Sequence, residues 1–217
     1  MKVKLISYSK PHDSDSNQSI QDLVAYCARV SNPANQNNVE TNEKLIKYLT
    51  KNNHWSPLEM VSICIEIETT RDIARQILRH RSFSFQEFSQ RYAIADLGFE
   101  SKEARTSDKK NRQNSIQTDD TNLILNWEIQ QNNVSETAMK AYKWALDNGI
   151  AKEQARSVLP EGMTVSRMYM NGTLRSWVHY IQLRSGNGTQ KEHKDVAIAC
   201  AEAIQEIFPM IKDFIIV

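Results

Sequence analysis

The feature that most constrains this chain is a strict alternation from Val61 to Thr70, in which Val61, Ile63, Ile65 and Ile67 interleave with Ser62, Cys64, Glu66 and Glu68. Successive side chains of an extended chain point to opposite faces, so the run predicts a strand with one buried face. Thr70 and Asp72 can then open a helix whose inner stripe is Ile73, Ala74, Ile77 and Leu78. The same spacing places Arg71, Arg75 and Arg79 at i, i+4 and i+8 on one helical face.

The remaining periodicities are helical or extended around this centre. Residues 2 to 9 alternate as an opening strand, and a helix should start near Ser19, its N-cap, with Ile20, Leu23, Val24 and Cys27 inward. A second helix is expected over about 41–51 with Leu45, Ile46 and Leu49. Between Glu100 and Asp120 charged and amide residues dominate, which predicts an exposed loop inserted in one domain. Its stretch 110–115 reads as solvated chain, with a lid over a bound ligand as the alternative. Ser135 is expected to cap a helix carrying Ala138, Met139, Tyr142, Ala145 and Leu146, which Gly149 ends. A short helix over 151–158 stops before Pro160.

Met163 to Met170 alternates as another strand, and Asn171 can cap a helix running to about Arg184. Gly186 and Gly188 break the chain before a last helix near 189–207, with Val196, Ala199, Cys200, Ala203, Ile204 and Ile207 inward. The sum is an α+β fold, a small and mainly antiparallel sheet packed with several long helices, in a single domain spanning residues 1–217.

Lys plus Arg number 27 against 26 Asp plus Glu, so the formal charge of +1 gives no general field for nucleic acid or membrane, and any anion site must be local. MKVKLISYSK has no apolar signal core, and no apolar run nears the roughly 18 residues of a membrane span, which predicts a cytoplasmic protein. Cys27, Cys64 and Cys200 are scattered and apolar in context, which predicts buried reduced thiols and no metal site. No glycine-rich dinucleotide fingerprint is present.

Stacked arginines at i, i+4 cost about 0.2–0.5 kcal/mol per pair, which a bound polyanion offsets. Arg81 adds a further guanidinium, and Arg is the side chain best shaped to hold phosphate oxygens in pairs. The alternative is a solvated face paired with Asp72 and Glu87. Ser84, Gln86, Glu87, Ser89, Gln90 and Arg91 follow in quick succession, a density of polar groups suited to an oriented ligand. Phe83, Phe85, Phe88 and Tyr92 between them suit core packing at least as well as base stacking. A single-stranded nucleic-acid binder would use the same basic and aromatic mixture, but near-neutral overall charge argues against it.

Arg79-His80-Arg81, seven further residues, then Ser89 reproduce the signature of flavin-dependent thymidylate synthases, which the chain resembles over most of its length. Ala28-Arg29-Val30-Ser31, the run from Asn53 to Glu59, the run from Ala155 to Pro160, and Gly172-Thr173-Leu174-Arg175-Ser176-Trp177 leading to His179 and Arg184 match in the family's order. Met60 stands where many relatives have histidine, and Thr173 and His179 where many have asparagine.

The resemblance implies reductive methylation of dUMP to dTMP, with FAD as cofactor and NADPH and methylenetetrahydrofolate as co-substrates, in a homotetramer whose sites lie at subunit junctions. Carried over by position, Ser56, Arg79, His80, Arg81, Glu87, Thr173, Arg175 and His179 would hold FAD, with Glu59 and Ser31 as weaker candidates. Gln76, Arg79, Glu87, Ser89, Gln90, Arg91, Arg156 and Arg184 would hold dUMP. Arg184 would stabilise negative charge on the uracil ring, and His54 would lie near the folate and flavin rings. Both are the expected catalytic residues. No cysteine nucleophile is implied, and His12 and His193 read as polar-surface residues.

Overall fold

In the computed structural model the described residues are 1–12 and 19–216. Strand β1 (Lys2–Tyr8) is followed by helices α1 (Ile20–Ala28) and α2 (Asn42–Lys51), then strand β2 (Ser62–Thr70), helix α3 (Arg71–Ile77) and strand β3 (Ser84–Glu87). A small hairpin, β4 (Arg105–Ser107) and β5 (Ser115–Gln117), precedes the long helix α4 (Thr121–Asp147) and the short helix α5 (Lys152–Ala155). Strand β6 (Val165–Thr173) and helices α6 (Leu174–Ser185) and α7 (Lys191–Gln205) complete the order.

The main sheet runs β1-β2-β6-β3 with every pairing antiparallel. Ile63, Ile65 and Ile67 of β2 are fully buried, as their alternation requires, and lie under α6 and α7. Leu174, Trp177, Val178 and Ile181 of α6 and Val196, Ala197, Cys200, Ala201 and Ile204 of α7 supply the cover. Each large aliphatic buried here contributes about 1.5–3 kcal/mol. The Trp177 Nε1 donates to the Ile63 carbonyl at 3.0 Å, tying α6 to the central strand. On the sheet's other face Glu68 of β2 pairs with Arg167 of β6 and Lys2 of β1.

Gly172 has a structural reason. It sits in β6 opposite Ile63, and an added Cβ would lie 2.4 Å from Cδ1 of Phe83. The missing side chain lets the Phe83 ring close over the strand and meet Trp177 edge-on, 4.8 Å between centroids.

Several expectations are corrected. α4 begins at Thr121 with Asp120 as N-cap, its carboxylate accepting from the Leu123 N–H, so Ser135 is an interior residue that donates to the Asn132 carbonyl. Asn171 remains in β6, paired with Cys64 and Ser84, and Thr173 is the cap of α6. α3 ends at Ile77, so Arg79 lies in the turn beyond it and the three arginines do not form one helical row. The 100–120 segment holds the β4–β5 hairpin, whose residues 113–115 line a cleft of about 480 Å³ with Arg105, Trp127 and Gln190. All three cysteines are free, but only Cys200 is buried; Cys27 and Cys64 are half-buried. His193 is fully buried on the inner face of α7, and its Nδ1 is 3.2 Å from the Gln76 Oε1. No helix among the described residues is long and apolar enough to cross a membrane.

Gly172→Ala should destabilise the protein by about 1–3 kcal/mol through this overpacking, read as a lower urea midpoint with unchanged slope. His193 generates a second expectation. Burial, then the Arg184 and His80 neighbours, lower its pKa from 6.5 to about 3. The unfolded chain therefore binds this proton first as the solution acidifies. Its contribution to stability is fully present above pH 6.5 and is lost as pH falls towards 3. Urea midpoints measured across that range should fall less steeply in His193→Asn than in the unsubstituted protein; equal slopes would exclude the effect.

Candidate active site

The Arg79-His80-Arg81 segment is a tight turn between α3 and β3. The His80 N–H donates to the Ile77 carbonyl at 3.0 Å and the Phe83 N–H to the His80 carbonyl at 3.2 Å. Phe83 is buried under α6, which draws the turn along that helix. The Ser82 carbonyl accepts from the Ser176 hydroxyl near the start of α6, and the His80 Nε2 accepts from the Arg184 Nε at 2.9 Å near its end. An arginine can only donate, so this bond requires a lone pair on His80 Nε2 and places the ring proton on Nδ1. Burial, then the charges of Arg184 and Arg79, lower the His80 pKa to about 4, keeping the ring neutral. Arg79 and Arg81 are exposed, and among the described residues no side-chain ion pair engages either guanidinium.

A second group gathers where α6 starts. Ser56 opens the 3-10 turn Ser56–Met60, and Glu59 of that turn accepts from the Arg175 Nη1 at 2.5 Å. Trp55 meets His179 edge-on at 4.7 Å, and burial followed by Arg175 lowers the pKa of His179. Thr173, the helix cap, is 3.2 Å from the Ser176 hydroxyl. His54 is exposed after Asn53, whose φ is +59°, and its ring stands edge-on to Tyr48 at 6.2 Å. Arg29 of the upstream motif is buried and structural, donating to Asn42 and Thr41 and so joining α1 to α2, while Ser31 stays exposed at the rim of a cleft.

The third group follows β3. Glu87 accepts from the Ser166 hydroxyl at 2.8 Å and pairs with Arg71 at 3.5 Å. Ser89 is exposed and, with Glu87, Tyr92 and Arg167, lines a cleft of about 430 Å³. Gln90 is buried, and its Nε2 has no hydrogen-bond partner among the described residues. Arg91 pairs with Glu153 at 3.2 Å, and the Arg156 Nε donates to the Glu153 backbone carbonyl at 3.4 Å, so one residue of α5 holds both guanidiniums.

Gln76 joins none of these groups directly; its Nε2 donates to the Gln190 Oε1 at 2.8 Å. Sequence reasoning missed Gln190, Glu153, Tyr180 and His193 as parts of the site. For His193 a signal existed, because His193, Val196, Ala197 and Cys200 follow the i, i+3, i+4, i+7 rule of a buried stripe. The donor set fits a flavin dinucleotide. Arg79, Arg81 and Arg175 offer cations to a diphosphate, and the neutral rings of His80 and His179 offer apolar faces and polar edges. Among the described residues, no group of three or more His, Cys, Asp or Glu is placed to hold a metal ion.

Residues 12–210 match the family model described as thymidylate synthase complementing protein. The chain is 47% identical over 211 residues to a probable flavin-dependent thymidylate synthase of Paramecium bursaria Chlorella virus 1, covering 97% of each. It is 46% identical over 213 residues to the flavin-dependent thymidylate synthase of a Synechocystis species, again covering 97% of each. Among solved structures it is similar to the UMP/dUMP methylase PolB from Streptomyces cacaoi bound with 5-Br dUMP. That match has a TM-score of 0.80 and 26% identity, and covers 98% of this chain and 93% of the other. With the signature turn seated along α6 and the match running nearly end to end, this chain belongs to the flavin-dependent thymidylate synthase family.

Proposed function

We propose that this protein methylates dUMP to dTMP, taking methylene from methylenetetrahydrofolate and electrons from NADPH through FAD, with tetrahydrofolate as product. The observation that carries the reading is the bond from Arg184 to the neutral His80 ring. Fixing the Nε of the Arg184 guanidinium leaves its terminal nitrogens for a ligand. Set against the uracil carbonyls and N3, that cation stabilises negative charge on the ring and makes C5 more nucleophilic. FAD, when bound, supplies the redox chemistry.

The chain's own groups divide the remaining work. Ser56, Arg79, His80, Arg81, Glu87, Thr173, Arg175 and His179 hold the flavin, and Gln76, Arg79, Glu87, Ser89, Gln90, Arg91, Arg156 and Arg184 hold the nucleotide. Gln90 supports this, since its unpartnered Nε2 is a donor that lacks an acceptor. His54 acts near the folate and flavin rings; its exposure beside Tyr48 leaves the imidazole accessible to a ligand. No thiolate nucleophile is needed, and Cys200 is pushed above the usual thiol range by complete burial.

The functional unit is a homotetramer in the cytoplasm, with active sites shared between subunits. Its support is α4, on which Leu123, Leu125, Trp127, Ile129 and Val134 are all exposed. A helix this apolar on its outer surface is expected to be covered by another copy.

The test is tritium release from C5-labelled dUMP with FAD, NADPH and methylenetetrahydrofolate, omitting each in turn. Release that needs all three is expected; flavin binding without release would leave a family member with another acceptor. Arg184→Ala should retain FAD and lose at least about a hundred-fold in kcat, as removal of one charge-stabilising donor does. Full turnover in that variant would exclude the role of Arg184.

A further inference from the structure

A chain of side-chain hydrogen bonds runs from a partly buried ion pair to Gln76, and each link fixes the orientation of the next. Arg105 donates to one oxygen of Glu192, and the Gln190 Nε2 donates to the other at 2.9 Å. The pKa of Glu192 is lowered despite burial, by a hydrogen bond from its own backbone, by Gln190 and by Arg105, so the carboxylate stays ionised and can only accept. The Gln190 amide therefore points its nitrogen at Glu192 and its oxygen at Gln76. Gln76 must answer with its Nε2, at 2.8 Å, which turns its Oε1 towards the His193 Nδ1 at 3.2 Å. An amide oxygen accepts only, so His193 carries its proton on Nδ1. Its Nε2 is then a buried lone pair beside Tyr180, whose hydroxyl is likewise buried and without a hydrogen-bond partner among the described residues; the two rings are 5.8 Å apart.

We propose that His193 is a positioning residue that holds the Gln76 oxygen, so that Gln76 meets the nucleotide with an N–H and not with a carbonyl. The ligand group it recognises is an oxygen acceptor, whether of phosphate, sugar or base. This rests on the reading of Gln76 as a nucleotide residue and adds what braces it: Gln190 sets which end of the amide it faces, and His193 holds the oxygen end in place. One of the two Nε2 hydrogens is spent on Gln190, leaving the other for the ligand.

The experiment is equilibrium dialysis of dUMP with FAD-loaded protein, alongside steady-state KM and kcat. His193→Phe should weaken dUMP binding and raise KM about five- to ten-fold, the worth of one hydrogen bond, with a smaller effect on kcat. His193→Asn, whose amide nitrogen can replace Nδ1–H, should restore binding to within about two-fold, because the donor is regained. Gln76→Ala should match His193→Phe, and the double variant should be no weaker than Gln76→Ala alone.

Unchanged binding in His193→Phe, failure of His193→Asn to rescue, or additive losses in the double variant would each overturn the proposal. Gln76→Glu tests it without altering His193. A carboxylate there presents an acceptor where a donor is required, so it should bind dUMP more weakly than Gln76→Ala; equal or tighter binding counts against the inference. Unsubstituted protein that binds FAD but not dUMP would reject the nucleotide reading itself and the positioning role with it.

Discussion

The burial of β2 under α6 is the constraint on which the rest of the structure depends. α6 closes the core with Leu174, Trp177, Val178 and Ile181, while Thr173, Arg175, His179 and Arg184 belong to the candidate site. One twelve-residue helix is thus both the cover of the sheet and a wall of the site. The tie from Trp177 to Ile63 sets the position of that wall relative to the central strand. Phe83 then uses the same packed surface to seat the signature turn. The groups proposed to handle flavin and nucleotide are placed by core packing, and interiors packed at crystal-like density deform little.

That dependence explains why so much was legible in the sequence and where legibility stopped. β2 was readable because only one of its faces is buried, so burial and alternation coincide. α1 was readable because Ser19 and Asp22 form a reciprocal capping box. α4 was not readable over its first half. Leu123, Ile124, Leu125, Trp127 and Ile129 are distributed around the helix and exposed, so no single stripe marks a face, and the pattern emerges only near Ala138 where the helix meets the small second core. The end of β6 was misplaced because Asn171 favours caps, whereas Thr173 two residues later holds the backbone position that caps α6. β3 was hidden inside a motif that the resemblance explains chemically but not conformationally.

The site itself was legible mainly through the resemblance. Residue types alone could not separate arginines that bind from those that brace. Arg71 and Arg75 each have a carboxylate partner, Glu87 and Glu161; of the two acids that the solvated-face alternative named, Glu87 takes Arg71 in a mostly buried pair and Asp72 faces Lys102. Arg79 and Arg81 lie past the helix end in a turn, where no acid among the described residues pairs with them. In a chain with a net charge of +1, local positive potential arises from this separation of paired and unpaired guanidiniums.

Glu153 presents the opposite case, since it occupies Arg91 and approaches Arg156, two residues proposed for the nucleotide. Its presence does not bar a phosphate. Arg91 and Glu153 are both largely exposed, and such a pair contributes about 0–1 kcal/mol. A phosphate carries more charge than a carboxylate and can take two N–H groups from each guanidinium, so exchange favours the ligand. Until that exchange Glu153 holds Arg91 through its carboxylate and Arg156 through its backbone carbonyl, which lowers the ordering cost of the bound state. The acid beside the two cations is thus consistent with an anion site held ready by a weaker anion of the protein's own.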